Sequence, residues 1–143
     1  MQLDPKLAEK IRLALDTVAK RSENAIEGHL NLRLEQAQEG KIVFAAETAP
    51  WMCNIDGVIH GGICALLVDE CMGCVANSMI ESAQITPTIQ MQLHYHRPLL
   101  AGSAMRIEIQ PVSITTHLIH LNGQVYQQTD RPCVSTTATF FCK

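Results

Sequence analysis

The chain has 143 residues, the size of one domain with its own core, and 47% of them are apolar, 17% charged and 4% aromatic. The net charge of −3 and the scarcity of rings exclude a basic, stacking nucleic-acid surface. No apolar run nears the roughly 20 residues of a membrane span. The amino-terminal MQLDPKLAEK lacks the apolar segment of a secretory signal, so a cytoplasmic location is expected. Cys53, Cys64, Cys71, Cys74, Cys133 and Cys142 sit among apolar neighbours, as buried free thiols do. Cys71 and Cys74 have redox-motif spacing, but they fall inside a predicted helix, away from the helix start that stabilises a thiolate.

Asp4-Pro5 reads as a helix start, and Leu7, Ile11, Leu15 and Val18 recur at helical spacing, predicting a helix over about residues 5–26. Gly28 stops it. Leu30, Leu32 and Leu34 then alternate with Asn31, Arg33 and Glu35 as a half-buried strand, Glu39-Gly40 turns the chain, and KIVFAAET returns. Pro50 to Gly57 reads as a loop. From about Gly61 to Ile80 the apolar residues surround the helical wheel instead of forming a stripe, which predicts a helix buried on nearly all sides. Strand-like segments follow. In TPTIQMQLHYHRP, Ile89, Met91, Leu93 and Tyr95 alternate with Thr88, Gln90, Gln92, His94 and His96. SAMRIEIQPVSIT, HLIHLNGQVYQQT and CVSTTATFFC are separated by short turns, as in an antiparallel meander. The expected class is α+β: one domain over residues 1–143, with a sheet curled around the central helix and an added amino-terminal helix.

The stretch NIDGVIHGGICALLVDECMG carries the chemistry. Gly61 and Gly62 open the buried helix, where amides lack intrahelical partners and the dipole favours negative charge. Such amides can bind a ligand closely and polarise a carbonyl; the plainer reading is a tight turn into the helix. His60 and Asn54 flank this corner, as ligand-binding groups or as a cap and a turn former. Asp69 and Glu70 lie in the apolar helix, where a carboxylate is costly without a purpose. They diverge by about 100° on the wheel, so no paired-carboxylate site is expected within one chain. One suits a general base and the other a structural acid held by a strand, Arg97, Arg106 or a partner subunit. Seven residues place Gly62 and Asp69 about 10 Å apart on one helix. A carbonyl on one and a water on the other cannot react unless two chains supply them, which requires a homodimer.

The run Asn54-x-x-Gly57-x-x-His60-Gly61-Gly62, with Asp69 seven residues on, resembles the hotdog-fold acyl-CoA thioesterases of the 4-hydroxybenzoyl-CoA and phenylacetate-pathway type. YHRP at Tyr95–Pro98 and TATFF at Thr137–Phe141 extend the resemblance over about residues 28–142, after an amino-terminal segment 1–27. The resemblance implies thioester hydrolysis in a homodimer or dimer of dimers acting on an acyl-CoA, without a cofactor or metal. It implies Asp69 as water activator or nucleophile, Gly62 N–H as carbonyl polariser and His60 and Asn54 as positioning groups. It also implies Thr88 as a hydroxyl orienting water or acid, with Gly61 and Arg97 touching substrate. Two rival functions stand beside it. A dehydratase or hydratase on the same fold would place its His and acid in another motif. A non-catalytic acyl-CoA binding module would lack the acid. His94 with His96, and His117 with His120, could be read as a metal site, but no carboxylate or cysteine joins them at ligand spacing.

Overall fold

The structure, a computed structural model, describes residues 6–21, 24–38, 40–81 and 85–142. The predicted cap Asp4-Pro5, Glu39 and the Val18 side chain lie outside these residues. Helix α1 (Leu7–Arg21) lays Leu7, Ile11 and Leu15, one every fourth residue, against the core. It ends earlier than the predicted residue 26: the chain re-forms as a short 3-10 turn at Ile26–His29, so Gly28 sits within a second element. Strands β1 (Leu32–Gln38) and β2 (Lys41–Ala46) form the expected hairpin, and the loop from Pro50 contains a 3-10 turn at Pro50–Met52. Helix α2 (Gly61–Ser78) is followed by β3 (Thr88–Tyr95), β4 (Met105–Ile114), β5 (Leu118–Tyr126) and β6 (Val134–Phe141).

All strand pairs are antiparallel, and the sheet order is β1-β2-β4-β5-β6-β3. The last three strands make the expected meander. Strand β3 does not join it in sequence order: α2 carries the chain across to the far edge, where β3 pairs with β6. The sheet curls around α2, whose Leu67, Val68, Cys71, Met72, Val75 and Ala76 are fully buried among Phe44, Ile107, Ile109, Leu121 and Phe140. Each large side chain so buried contributes about 1.5–3 kcal/mol. Gly123 in β5 lets the helix approach, because a Cβ there would lie 2.7 Å from the Met72 methyl and 2.9 Å from Thr136 Cγ2. The hotdog arrangement is therefore the one this chain adopts.

Two expectations need correction. Helix α2 is not buried on nearly all sides: Gly62, Leu66, Asp69, Gly73 and Asn77, spaced by three or four residues, remain partly or fully open along one face. The sheet and α1 pack against the rest of the helix, and this stripe faces outward from the protomer. Strand β3 also breaks its alternation. Thr88 pairs with Phe140 but Gln90 with Thr139, leaving Ile89 as a bulge residue. One extra residue reverses the facing of everything before it. Thr88 thus joins Met91, Leu93 and Tyr95 on the helix side, while Ile89 is 57% exposed.

Candidate active site

The start of α2 is built by its own backbone. The His60 carbonyl accepts from the amides of Ile63 (2.9 Å) and Cys64 (3.1 Å), so it points along the helix. In a trans peptide the N–H lies opposite the C=O, and the Gly61 N–H therefore points out of the helix start, at the positive end of the dipole. The Gly62 N–H instead donates to His60 Nδ1 at 2.9 Å, which leaves the ring proton of the neutral imidazole on Nε2. In the protomer, then, the Gly62 amide expected to polarise a carbonyl is engaged by a capping histidine, and the outward amide belongs to Gly61.

Gly61 lines a cleft of about 370 Å³ with Val58, Cys64, Tyr95, Arg97 and Pro98. Tyr95 donates its hydroxyl to the Gly61 carbonyl at 2.6 Å. Its ring lies so close that a Cβ on Gly61 would sit 3.3 Å away. Arg97 is exposed, and its Nη1 donates to the Pro132 carbonyl at 2.6 Å, which fixes the guanidinium beside the cleft. Asn54 serves the loop instead: its Oδ1 accepts from Asp56 N (3.0 Å) and Val58 N (3.3 Å), closing the turn that delivers His60.

Two turns along α2 the carboxylates line a second cleft, of about 600 Å³. Asp69 Oδ1 accepts the Thr88 hydroxyl at 2.7 Å, a bond made possible by the β3 bulge. Glu70 lines the same cleft with Glu27, Gly73, Asn77 and Phe140. The wheel angle alone suggested that the two acids part company. The cleft instead wraps the helix edge widely enough to include both, although no hydrogen bond joins them. Neither Arg97 nor Arg106 holds Glu70, since Arg97 bonds Pro132 and Arg106 pairs with Glu108 and Asp130. Burial raises the Glu70 carboxyl above its ordinary value, and the charges of Glu27 and Asp69 raise it further. The two clefts share no lining residue, so one chain keeps its outward amide and its Thr88-bound acid apart.

Three of the four candidate histidines have local partners. His96 Nε2 lies 2.9 Å from Ser135 Oγ and His120 Nδ1 lies 3.0 Å from Thr139 Oγ1, while His117 stacks on Phe141. Burial pushes the Cys64 and Cys74 thiols up to about 12 and raises that of Cys71 as well, the reverse of a reactive pair. Among the cleft residues to which sequence reading gave no site role are Tyr95, read as a strand residue within the YHRP resemblance because its contact is 34 positions away, and Glu27, which lay in what read as a helix end.

Solved structures share this architecture at low sequence identity. Thioesterase superfamily member 2 of zebrafish superposes with a TM-score of 0.81 at 17% identity, over 95% of this chain and 98% of that one. The PaaI protein from the phenylacetic acid degradation operon of E. coli gives 0.78 at 17% identity, over 96% of each chain. A hypothetical thioesterase of Streptococcus pneumoniae, solved with coenzyme A, gives 0.69 at 22% identity, over 78% of this chain and 87% of that one. No curated protein sequence matches the chain. The sequence profile of the thioesterase superfamily matches residues 56–134, more than half of the chain and the part that holds the capped helix start, Asp69 and Thr88; the protein belongs to that superfamily.

Proposed function

We propose that the protein is an acyl-CoA thioesterase, a single hotdog domain that hydrolyses a thioester to free acid and CoA at sites shared between two protomers. The observation that carries this reading is the Asp69 carboxylate, fixed by Thr88 on the wall of a cleft. Membership of the superfamily supports hydrolysis, and coenzyme A in the Streptococcus pneumoniae structure supports a CoA ester as substrate. In the proposed reaction Asp69 takes a proton from water as the water oxygen bonds to the acyl carbon. The Gly61 N–H of the other protomer holds the carbonyl oxygen as it gains negative charge. Collapse breaks the C–S bond and CoA leaves as a thiolate, which recovers the proton from Asp69. His60 and Asn54 hold the helix start, and Arg97 faces the acyl-CoA from the rim of the Gly61 cleft.

The assembly follows from distance. Gly61 and Asp69 are eight residues apart on one helix, about 12 Å, and reacting atoms must approach to about 3–3.5 Å. Two α2 helices set antiparallel across a two-fold axis bring each amide near the partner's acid and cover the open stripe of Gly62, Leu66, Gly73 and Asn77. The homodimer, or a dimer of such dimers, is thus part of the proposal, as is action in the cytoplasm. Free, buried thiols suit that compartment, and among the described residues no helix is long and apolar enough to cross a membrane.

The test is hydrolysis of aromatic, short-chain and long-chain acyl-CoAs, followed by thioester absorbance, with wild type and Asp69→Asn side by side. Wild-type turnover that falls about 10²-fold or more in a dimeric Asp69→Asn variant is the expected outcome. Folded dimer that hydrolyses no member of the panel overturns the reading in favour of a binding module or another thioester reaction.

A further inference from the structure

We propose that Tyr95 is a positioning residue for thioester hydrolysis, locking the Gly61–Gly62 peptide at the start of α2 so that the Gly61 N–H is already aimed at the substrate carbonyl. The inference rests on the reading that Gly61 supplies that amide. Two adjacent glycines are the least restrained start a helix can have, because neither has a Cβ to limit φ and ψ. The structure restrains them from outside. The Gly61–Gly62 peptide is held at both poles, its carbonyl by the Tyr95 hydroxyl at 2.6 Å and its N–H by His60 Nδ1 at 2.9 Å. The His60–Gly61 peptide is held through its carbonyl by Ile63 and Cys64. With the peptides on both sides fixed, the conformation of Gly61 is fixed as well.

An amide stabilises an oxyanion well only when it needs no reorientation as charge develops. The Tyr95 hydroxyl is committed to backbone, so it acts through Gly61 and not on the reacting atoms. Burial, and secondarily the Cys64 sulfur, hold the phenol above its ordinary value, so it remains a donor at neutral pH. The ring also accounts for the glycine at position 61, since a Cβ would press on it at 3.3 Å. The Tyr95 clamp and Gly61, whose amide points outward, border the same cleft.

Tyr95→Phe tests this, since it keeps the ring and removes the donor. The expected result is a kcat about tenfold lower with KM within about twofold, in protein of unchanged fold and oligomeric state. A second readout uses the Asp69→Asn background, where turnover is slow enough to record the bound ester. The carbonyl stretch of a ¹³C-labelled acyl-CoA is expected to shift down on binding, and adding Tyr95→Phe is expected to reverse much of that shift. Should Tyr95→Phe fold poorly, 2,3,5-trifluorotyrosine at position 95, assayed at a pH high enough to ionise its more acidic phenol, keeps the shape but cannot donate, and the same loss of kcat is expected. Wild-type kcat in folded Tyr95→Phe, a loss confined to KM, or an unchanged carbonyl shift overturns the proposal. Absence of hydrolysis in the wild type overturns the thioesterase reading itself, so the two failures are distinguishable.

Discussion

Replacing Thr88 by valine removes the hydroxyl bonded to Asp69 and leaves a side chain of nearly the same shape. The bond is 2.7 Å long and its acceptor is a carboxylate, so it belongs to the charge-assisted class, which contributes about 1.5–3 kcal/mol. Thr88 is exposed in the protomer, and solvent competes for the same oxygen, so the lower end of that range applies. If the bond matters for aiming the carboxylate at water, about 1.4 kcal/mol of lost alignment lowers kcat about tenfold. Stability should change little, because an exposed hydrogen bond on an edge strand is readily replaced by water. The assay is loss of thioester absorbance at saturating acyl-CoA, with a melting curve beside it and Thr88→Ser as the control that restores the hydroxyl. A valine variant with wild-type kcat, or a serine variant as slow as valine, refutes the assignment of Thr88 to the acid.

Glu70→Gln is expected to lower kcat less than Asp69→Asn does; a larger loss moves the base to Glu70. The same substitution has a pH signature. Burial holds the folded-state Glu70 carboxyl above its ordinary value of 4.5, so folding favours the protonated form. That contribution is complete below the unfolded value and is lost as pH rises through the folded one. The glutamine variant should therefore melt above wild type at pH 7 to 8, with the gap closing as pH falls to about 4. Equal melting temperatures at both pH values contradict it. Gly123→Ala should destabilise by about 1–3 kcal/mol, because the new methyl meets the Met72 methyl, Thr136 Cγ2 and, at 3.3 Å, the backbone oxygen of Glu108. Urea unfolding measures this, and an unchanged midpoint shows that the helix can retreat from the sheet at no cost.

Most elements were legible because their signals are local. The alternation in residues 105–141 and the all-round apolar wheel of α2 follow from periods of two and 3.6, which every residue reports on. The order of strands was not legible, since β3 reaches β6 only after the helix has crossed the sheet, a matter of path and not of pattern. The bulge at Ile89 was equally hidden, because an apolar residue inside an alternating run gives no sign that the partner strand skips it. It decided the side on which Thr88 falls. At the helix start, spacing located the corner but not which of its amides faces outward. The direction of an amide depends on what its carbonyl bonds, and that shows only when His60, Ile63 and Cys64 are seen together.

The same strand reaches both half-sites. Its far end, Tyr95, grips the carbonyl of Gly61, the residue whose N–H points outward, and its near end, Thr88, grips the acid. These contacts face α2, while the outer edge of β3 has no neighbour in the sheet order and Ile89 stands exposed beside it. In the proposed dimer, a second β3 is the self-complementary partner for that edge. Joining the sheets there would register α2 against its partner through the very strand that orients amide and carboxylate. Dimer formation and site assembly would then be one event. Diluting the protein below its dimerisation constant should abolish turnover in proportion to the dimer lost, as followed by specific activity and sedimentation in parallel. Full specific activity in a demonstrated monomer refutes the shared site.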